Sequence, residues 1–177
     1  RDAMSSGALA KLRDFAPQNI TNMMWSMAKL ALPDLPLLEA LSSAAVAKIA
    51  ELVPQDISNP SWALATLAVT DPPFLATMAA AALRSLGSFK RQEMSNTAWA
   101  LAKLGWTDRP LMDAMSATIV TSIGDYEPQD VASFAWAFAK LANLDRPLMA
   151  AISGQSVAKQ SAFNSQDLAN TAWALAT

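Results

Sequence analysis

The chain has 177 residues, 53% hydrophobic and 16% charged, with a net charge of −2 at pH 7, which is enough for one domain with a real core. It has neither cysteine nor histidine, which excludes disulfides, thiolate nucleophiles, Cys/His zinc sites and histidine general bases. No apolar run approaches the ~20 residues of a membrane span, and the slightly acidic balance means that any nucleic-acid role must rest on a local basic stripe.

In chain order, the elements repeat. The first unit (about 1–34) carries Gln18, Asn22 and Trp25, and the same three positions return 37 residues later as Gln55, Asn59 and Trp62. They recur as Gln92, Asn96 and Trp99, then as Gln129, Ser133 and Trp136, and last as Gln166, Asn170 and Trp173. Between them run Asp34, Asp71, Asp108 and Asp145, each two residues before Pro36, Pro73, Pro110 and Pro147. Independent series in one register identify tandem repeats. The units fall at about 1–34 (partial), 35–71, 72–108, 109–145 and 146–177 (partial), one array over 1–177 read as a piece of a longer repeat protein.

Each unit predicts two helices. Helix A starts after the aspartate, which can cap it, and the proline fits its first turn, where a missing N–H costs nothing. Helix B opens with Gln and an acid, as in Pro54-Gln55-Asp56, Pro128-Gln129-Asp130 and Ser165-Gln166-Asp167, suiting the positive end of the helix dipole. Pro60 lies close to a helix start, where it predicts at most a small distortion. Helix B is apolar over most of its circumference and must be buried between neighbours. The predicted fold is therefore all-α: a right-handed α-solenoid of about five 37-residue helix-turn-helix repeats, about ten antiparallel helices in all. Ala65, Ala102, Ala139 and Ala176 would admit close helix approach. The tryptophans Trp25, Trp62, Trp99, Trp136 and Trp173 are expected to form the repeat core at the seams between units. Trp106 breaks the pattern at the place read for Leu32, Val69 and Leu144, and is likewise expected to pack.

One polar stripe on helix B is the first candidate for recognition. Asn22, Asn59, Asn96, Ser133 and Asn170 lie seven residues before Lys29, Thr66, Lys103, Lys140 and Thr177, so amides and ammoniums share one helix face. Stacked units would align them into a ladder able to contact phosphates or bases of a single strand. The bland alternative is an amide bonded to the neighbouring backbone and a lysine on a solvated face. Helix A supplies a second candidate set: Lys48, Arg84 and Lys159, with positions that vary between units (Glu39, Ala76, Asp113, Ala150; Ala47, Arg84, Thr121, Ala158; Ala44, Ala81, Thr118, Gln155). Variable side chains on a constant frame are what base-by-base reading needs, or simply an unconstrained surface. No residues point to catalysis, to a metal site or to a cofactor. No carboxylate pair has the character of an acid/base dyad, and there is no Gly-rich phosphate loop.

The segments Gln92-Glu93-Met94-Ser95-Asn96-Thr97-Ala98-Trp99-Ala100-Leu101-Ala102-Lys103-Leu104 and Gln166-Asp167-Leu168-Ala169-Asn170-Thr171-Ala172-Trp173-Ala174-Leu175-Ala176 resemble the second helix of octotricopeptide repeats and the heptatricopeptide repeats of alveolate organelle proteins. The 37-residue step suits the latter better. The resemblance implies an organellar RNA-binding solenoid, in the matrix or stroma of a mitochondrion or plastid, acting in RNA processing, stability, translation or ribosome assembly. Its implied partners are single-stranded or ribosomal RNA and other subunits of an organellar assembly, without membrane insertion or a small-molecule substrate. The alternative is a protein–protein scaffold or structural subunit with no RNA contact.

Overall fold

A computed structural model describes the backbone of residues 2–143 and 145–177 and the side chains of 7–143 and 145–177. It is all-helical: α1 (Asp2–Lys11), α2 (Pro17–Lys29), α3 (Leu35–Ala47), α4 (Pro54–Thr66), α5 (Pro72–Ser85), α6 (Arg91–Leu104), α7 (Arg109–Ser122), α8 (Pro128–Lys140), α9 (Arg146–Ala158) and α10 (Ser165–Ala176). No described residue lies in a strand, and no helix is long and apolar enough to cross a membrane. Short 3-10 turns close four of the A-to-B connections, at Leu12–Asp14, Leu86–Ser88, Ile123–Asp125 and Gln160–Ala162.

The helix starts follow from the sequence. Asp34, Asp71, Asp108 and Asp145 each cap an odd-numbered helix, accepting from the backbone N–H of Leu37 (3.2 Å), Phe74 (3.0 Å), Leu111 (3.0 Å) and Leu148 (2.9 Å). A proline stands in the first turn of each of these helices. The first-turn acids of the even helices reach back in the same way: Asp56 accepts from Val53 N–H, Glu93 from Lys90 N–H and Asp167 from Asn164 N–H. Pro60 sits inside α4, which runs unbroken from Pro54 to Thr66.

The even helices stop in a common way. The residue after the last turn is left-handed at Ala31 (φ 49°), Ala68 (φ 55°), Gly105 (φ 65°) and Ala142 (φ 52°), again a 37-residue series. The next residue donates back to close the end: Leu32 to Met27 O, Val69 to Leu64 O, Trp106 to Leu101 O and Asn143 to Phe138 O. Trp106 is thus the residue that folds back over a helix end. Its true counterpart in the fourth unit is Asn143, not Leu144, which lies outside the described residues. Only one copy has glycine where alanine suffers a Cβ clash. Ala68→Gly is expected to raise stability by about 1 kcal/mol, read as a higher urea midpoint with an unchanged slope. A lower midpoint would contradict a strained cap.

Two layers result. The even helices α2, α4, α6, α8 and α10 lie side by side and pack closely on one another, while α1, α3, α5, α7 and α9 form the second layer behind them. The contrast has a simple cause. Ala63, Ala65, Ala100, Ala102 and Ala137 are fully buried in the even layer, so backbones there approach towards the short end of the usual ~8–10 Å. Between the layers lie the large side chains, among them Leu38, Leu41, Phe74, Leu75, Met112, Met115, Ile119, Phe134 and Phe138. Tyr126 meets the Phe134 ring edge-on at 5.1 Å, and burial raises its phenol above the ordinary pKa.

Candidate nucleic-acid interface

On α4, α6 and α8, each flanked by two even helices, one narrow strip escapes burial, whereas α2 and α10, with one even neighbour each, are exposed more widely. In α4 it is Gln55, Asn59, Trp62 and Thr66, while Asp56, Ile57, Ser58, Pro60, Ser61, Ala63, Leu64 and Ala65 are buried. These positions run i, i+4, i+7, i+11 and occupy about 60° of the circumference at 100° per residue. The same strip recurs as Gln18, Asn22, Trp25, Lys29 on α2 and as Gln92, Asn96, Trp99, Lys103 on α6. It recurs again as Gln129, Ser133, Trp136, Lys140 on α8 and as Gln166, Asn170, Trp173 with Thr177 at α10. Because the helices lie side by side, the strips make four rows across the layer: glutamine, asparagine/serine, tryptophan and lysine/threonine.

The tryptophan row corrects the sequence expectation. None of the five is in the buried core: Trp25 is 42% and Trp173 45% exposed, and Trp62, Trp99 and Trp136 are half-buried. Trp62 and Trp136 pack against the margin of the core. The reason is steric. A seam lined by fully buried alanines has no room for an indole, so the ring is held at the surface edge of the seam.

The amide row is unspent. Among the described residues the side chains of Asn22, Asn59, Asn96, Ser133 and Asn170 make no hydrogen bond, so the alternative of an amide tied to the neighbouring backbone does not describe them. Lys29, Lys103 and Lys140 are exposed. The Lys29 ammonium lies 5.2 Å from the Trp25 ring centre and 5.3 Å from that of Trp62, a cation shared by two indoles. At the opposite, glutamine end of the strips Asp56, Glu93 and Asp167 are turned to capping, Asp130 accepts from Ser95, and Lys90 adds a cation beside Gln92.

Two open cavities sink into the layer. One, of about 510 Å³, is bordered by Trp25, Lys29, Asn59, Trp62, Gln92 and Asn96. The other, of about 390 Å³, is bordered by Trp99, Gln129, Ser133, Trp136, Asp167 and Asn170. The glutamines were not singled out as site residues from sequence. Their constant step, and their place one turn before the asparagines, was the signal available.

The helix A candidates do not join this face. Lys48, Arg84 and Lys159 belong to the odd layer. Lys159 donates from Nζ to Gly124 O at 2.7 Å and to Tyr126 O at 3.1 Å, tying one unit's turn to the next, so it is a structural residue rather than a free cation. Of the variable registers, Glu39, Ala76, Asp113, Ala150 and Ala47, Arg84, Thr121, Ala158 are exposed. The third is not a surface: Ala81 is buried, Ala44 and Gln155 are half-buried, and Thr118 bonds Ala114 O. No group of acidic side chains among the described residues is placed to hold a metal ion.

Seams between even helices carry one further polar element. Thr21 Oγ1 donates to Asp56 at 3.2 Å and Ser95 Oγ to Asp130 at 2.6 Å, each 35 residues on. The corresponding residue facing Asp167 is Ala132.

Comparison with known proteins places these features in a family. No curated protein matches the chain. The family model of the RNA-editing substrate-binding complex 6 protein matches residues 37–177, most of the chain, and the chain belongs to that family.

Proposed function

We propose that this member of the RNA-editing substrate-binding complex 6 family is a non-catalytic solenoid that holds single-stranded RNA across its even-helix face. The observation carrying this reading is the grid itself: free amides, half-exposed indoles and lysines on one face, with the first-turn acids Asp56, Glu93 and Asp167 drawn back to the helix starts. Base–indole stacking and lysine–phosphate contact are the two terms that single-strand binding needs. Residues that are constant from unit to unit favour tolerance of sequence over a code. The octotricopeptide and heptatricopeptide resemblance supports the same reading, as RNA processing within a larger organellar assembly, with the mitochondrion as its setting.

A second reading has one observation in its favour. An apolar groove of about 620 Å³ lies along α2, lined by Phe15, Met23, Met27, Leu30, Leu32 and Leu37, and it suits an apolar protein surface. Scaffold and RNA roles are compatible in one solenoid: the groove shares Asn22 with the asparagine row but is lined by none of the tryptophans or lysines of the grid.

Fluorescence anisotropy with a labelled single-stranded oligoribonucleotide and its duplex tests the proposal. Binding of the single strand in preference to the duplex is expected. Three lysines on phosphates give a log–log salt slope of about −2. Absence of single-strand binding at low salt would overturn it.

A further inference from the structure

The seam between neighbouring even helices recurs four times, from α2 against α4 to α8 against α10, and two opposite sides of each helix build it. The side of α4 that leads towards α2 carries Asp56, Pro60, Ala63 and Leu67, at i, i+4, i+7 and i+11. The side of α2 that trails towards α4 carries Thr21, Met24 and Ala28, opposite the leading side of the same helix. Thr21 donating to Asp56 and Ser95 to Asp130 fix this pairing of sides. Burial follows it. On leading sides Ala63, Ala100, Ala137 and Ala174 are buried, while Ser26, their counterpart on α2, is exposed. On trailing sides Ala28, Ala65 and Ala102 are buried, while Ala176, their counterpart on α10, is exposed, as is Ala172.

One further seam is therefore present as two open halves, the leading half on α2 and the trailing half on α10. Both are apolar. The leading half floors the groove of about 620 Å³, with Met23 beside Leu30, which is 66% exposed. The trailing half carries Ala169, Ala172 and Ala176 beside Leu168 and Leu175, 41% and 44% exposed. The leading-side acid of the other units (Asp56, Glu93, Asp130, Asp167) is replaced on α2 by Asn19, whose oxygen accepts from Ala16 N–H at 3.0 Å. Ser26 Oγ donates to Asn22 O at 2.7 Å. Where α2 has Thr21 on its trailing side, α10 has Ala169. Pairing Asn19 with Ala169 buries no charge.

We propose that a second copy of this chain fills the groove: the trailing side of α10 in one copy docks on the leading side of α2 in the next, repeating the seam found inside the chain. The groove is the one behind the second reading above, and its occupancy does not depend on RNA. The contact is heterologous, so copies join head to tail, in an open row unless the rotation closes a ring. Across the junction the strip of α10 meets the strip of α2. Trp173 comes beside Trp25, the two most exposed tryptophans of the face, and the grid runs on from copy to copy.

Analytical ultracentrifugation of the whole chain without RNA, from micromolar to near-millimolar concentration, tests the proposal. The average mass is expected to rise with concentration from 18.8 kDa to beyond that of a dimer. Leu30→Glu and Ala172→Glu each place a charge on one half, at positions exposed in the single chain. Each variant alone is expected to self-associate at least about ten-fold more weakly, because the junction would bury an unpaired charge. Mixed in equal amounts, the two are expected to form a one-to-one pair that grows no further, since the intact α10 side of the Leu30→Glu chain meets the intact α2 groove of the Ala172→Glu chain. Misfolded variants could not form that pair, and circular dichroism verifies their helicity. An unaltered chain that stays monomeric at the highest concentration, a dimer that Ala172→Glu does not weaken, or a mixture that stays monomeric overturns the proposal and leaves the RNA reading standing.

Discussion

Replacing Lys29, Lys103 and Lys140 together by glutamate is expected to lower affinity for single-stranded RNA by two orders of magnitude or more, roughly, at moderate salt. Each lysine sits at the exposed C-terminal end of its strip, so the three changes turn the basic edge of the grid acidic. The fold should survive. The side chains make no hydrogen bond among the described residues, and an acid near a helix C-terminus costs only about 0.3–1 kcal/mol each. Lys48→Glu with Arg84→Glu is the matched control on the other layer and should change affinity by less than roughly three-fold, through long-range charge alone. Anisotropy titrations of both sets, with circular dichroism to verify helicity, decide the matter. Retained affinity in the triple variant, or equal losses in the two sets, would show that the even-helix face is not where RNA sits.

Phe134→Ala is expected to be the most damaging single truncation, costing about 3–5 kcal/mol and lowering the melting temperature by roughly 10 °C. Phe134 is fully buried in α8 between the layers, and its removal leaves Tyr126 without the ring it meets edge-on. In a solenoid such damage is felt first at the neighbouring seams. The variant should therefore also loosen α6 and α10 against α8. Thermal denaturation and hydrogen exchange measure both effects. A loss below about 1 kcal/mol would mean that the layers are not held by these aromatic contacts.

The repeat, the helix pairs and the aspartate caps were legible in the sequence because each depends on short-range spacing. Asp34-Leu35-Pro36 specifies a helix start whatever packs against it. The tryptophans were misread for a reason of the same kind. Size and hydrophobicity argue for burial, but the alanines on the same helix set the distance between neighbours, and that distance excludes an indole. The Asn and Lys positions were found because i, i+7 spacing is visible in one helix. The glutamines at i−4 complete the same strip and were available by the same arithmetic. Lys159 looked equivalent to Lys48, and only the fold brings it to the Gly124 and Tyr126 carbonyls.

The most direct measurement is mapping of photo-crosslinks between the protein and a single-stranded oligoribonucleotide carrying 4-thiouridine. The tryptophan and lysine rows predict adducts on the peptides holding Trp62, Trp99, Trp136 and Lys103, spread over successive even helices. Adducts confined to α3, α5, α7 and α9 would contradict them.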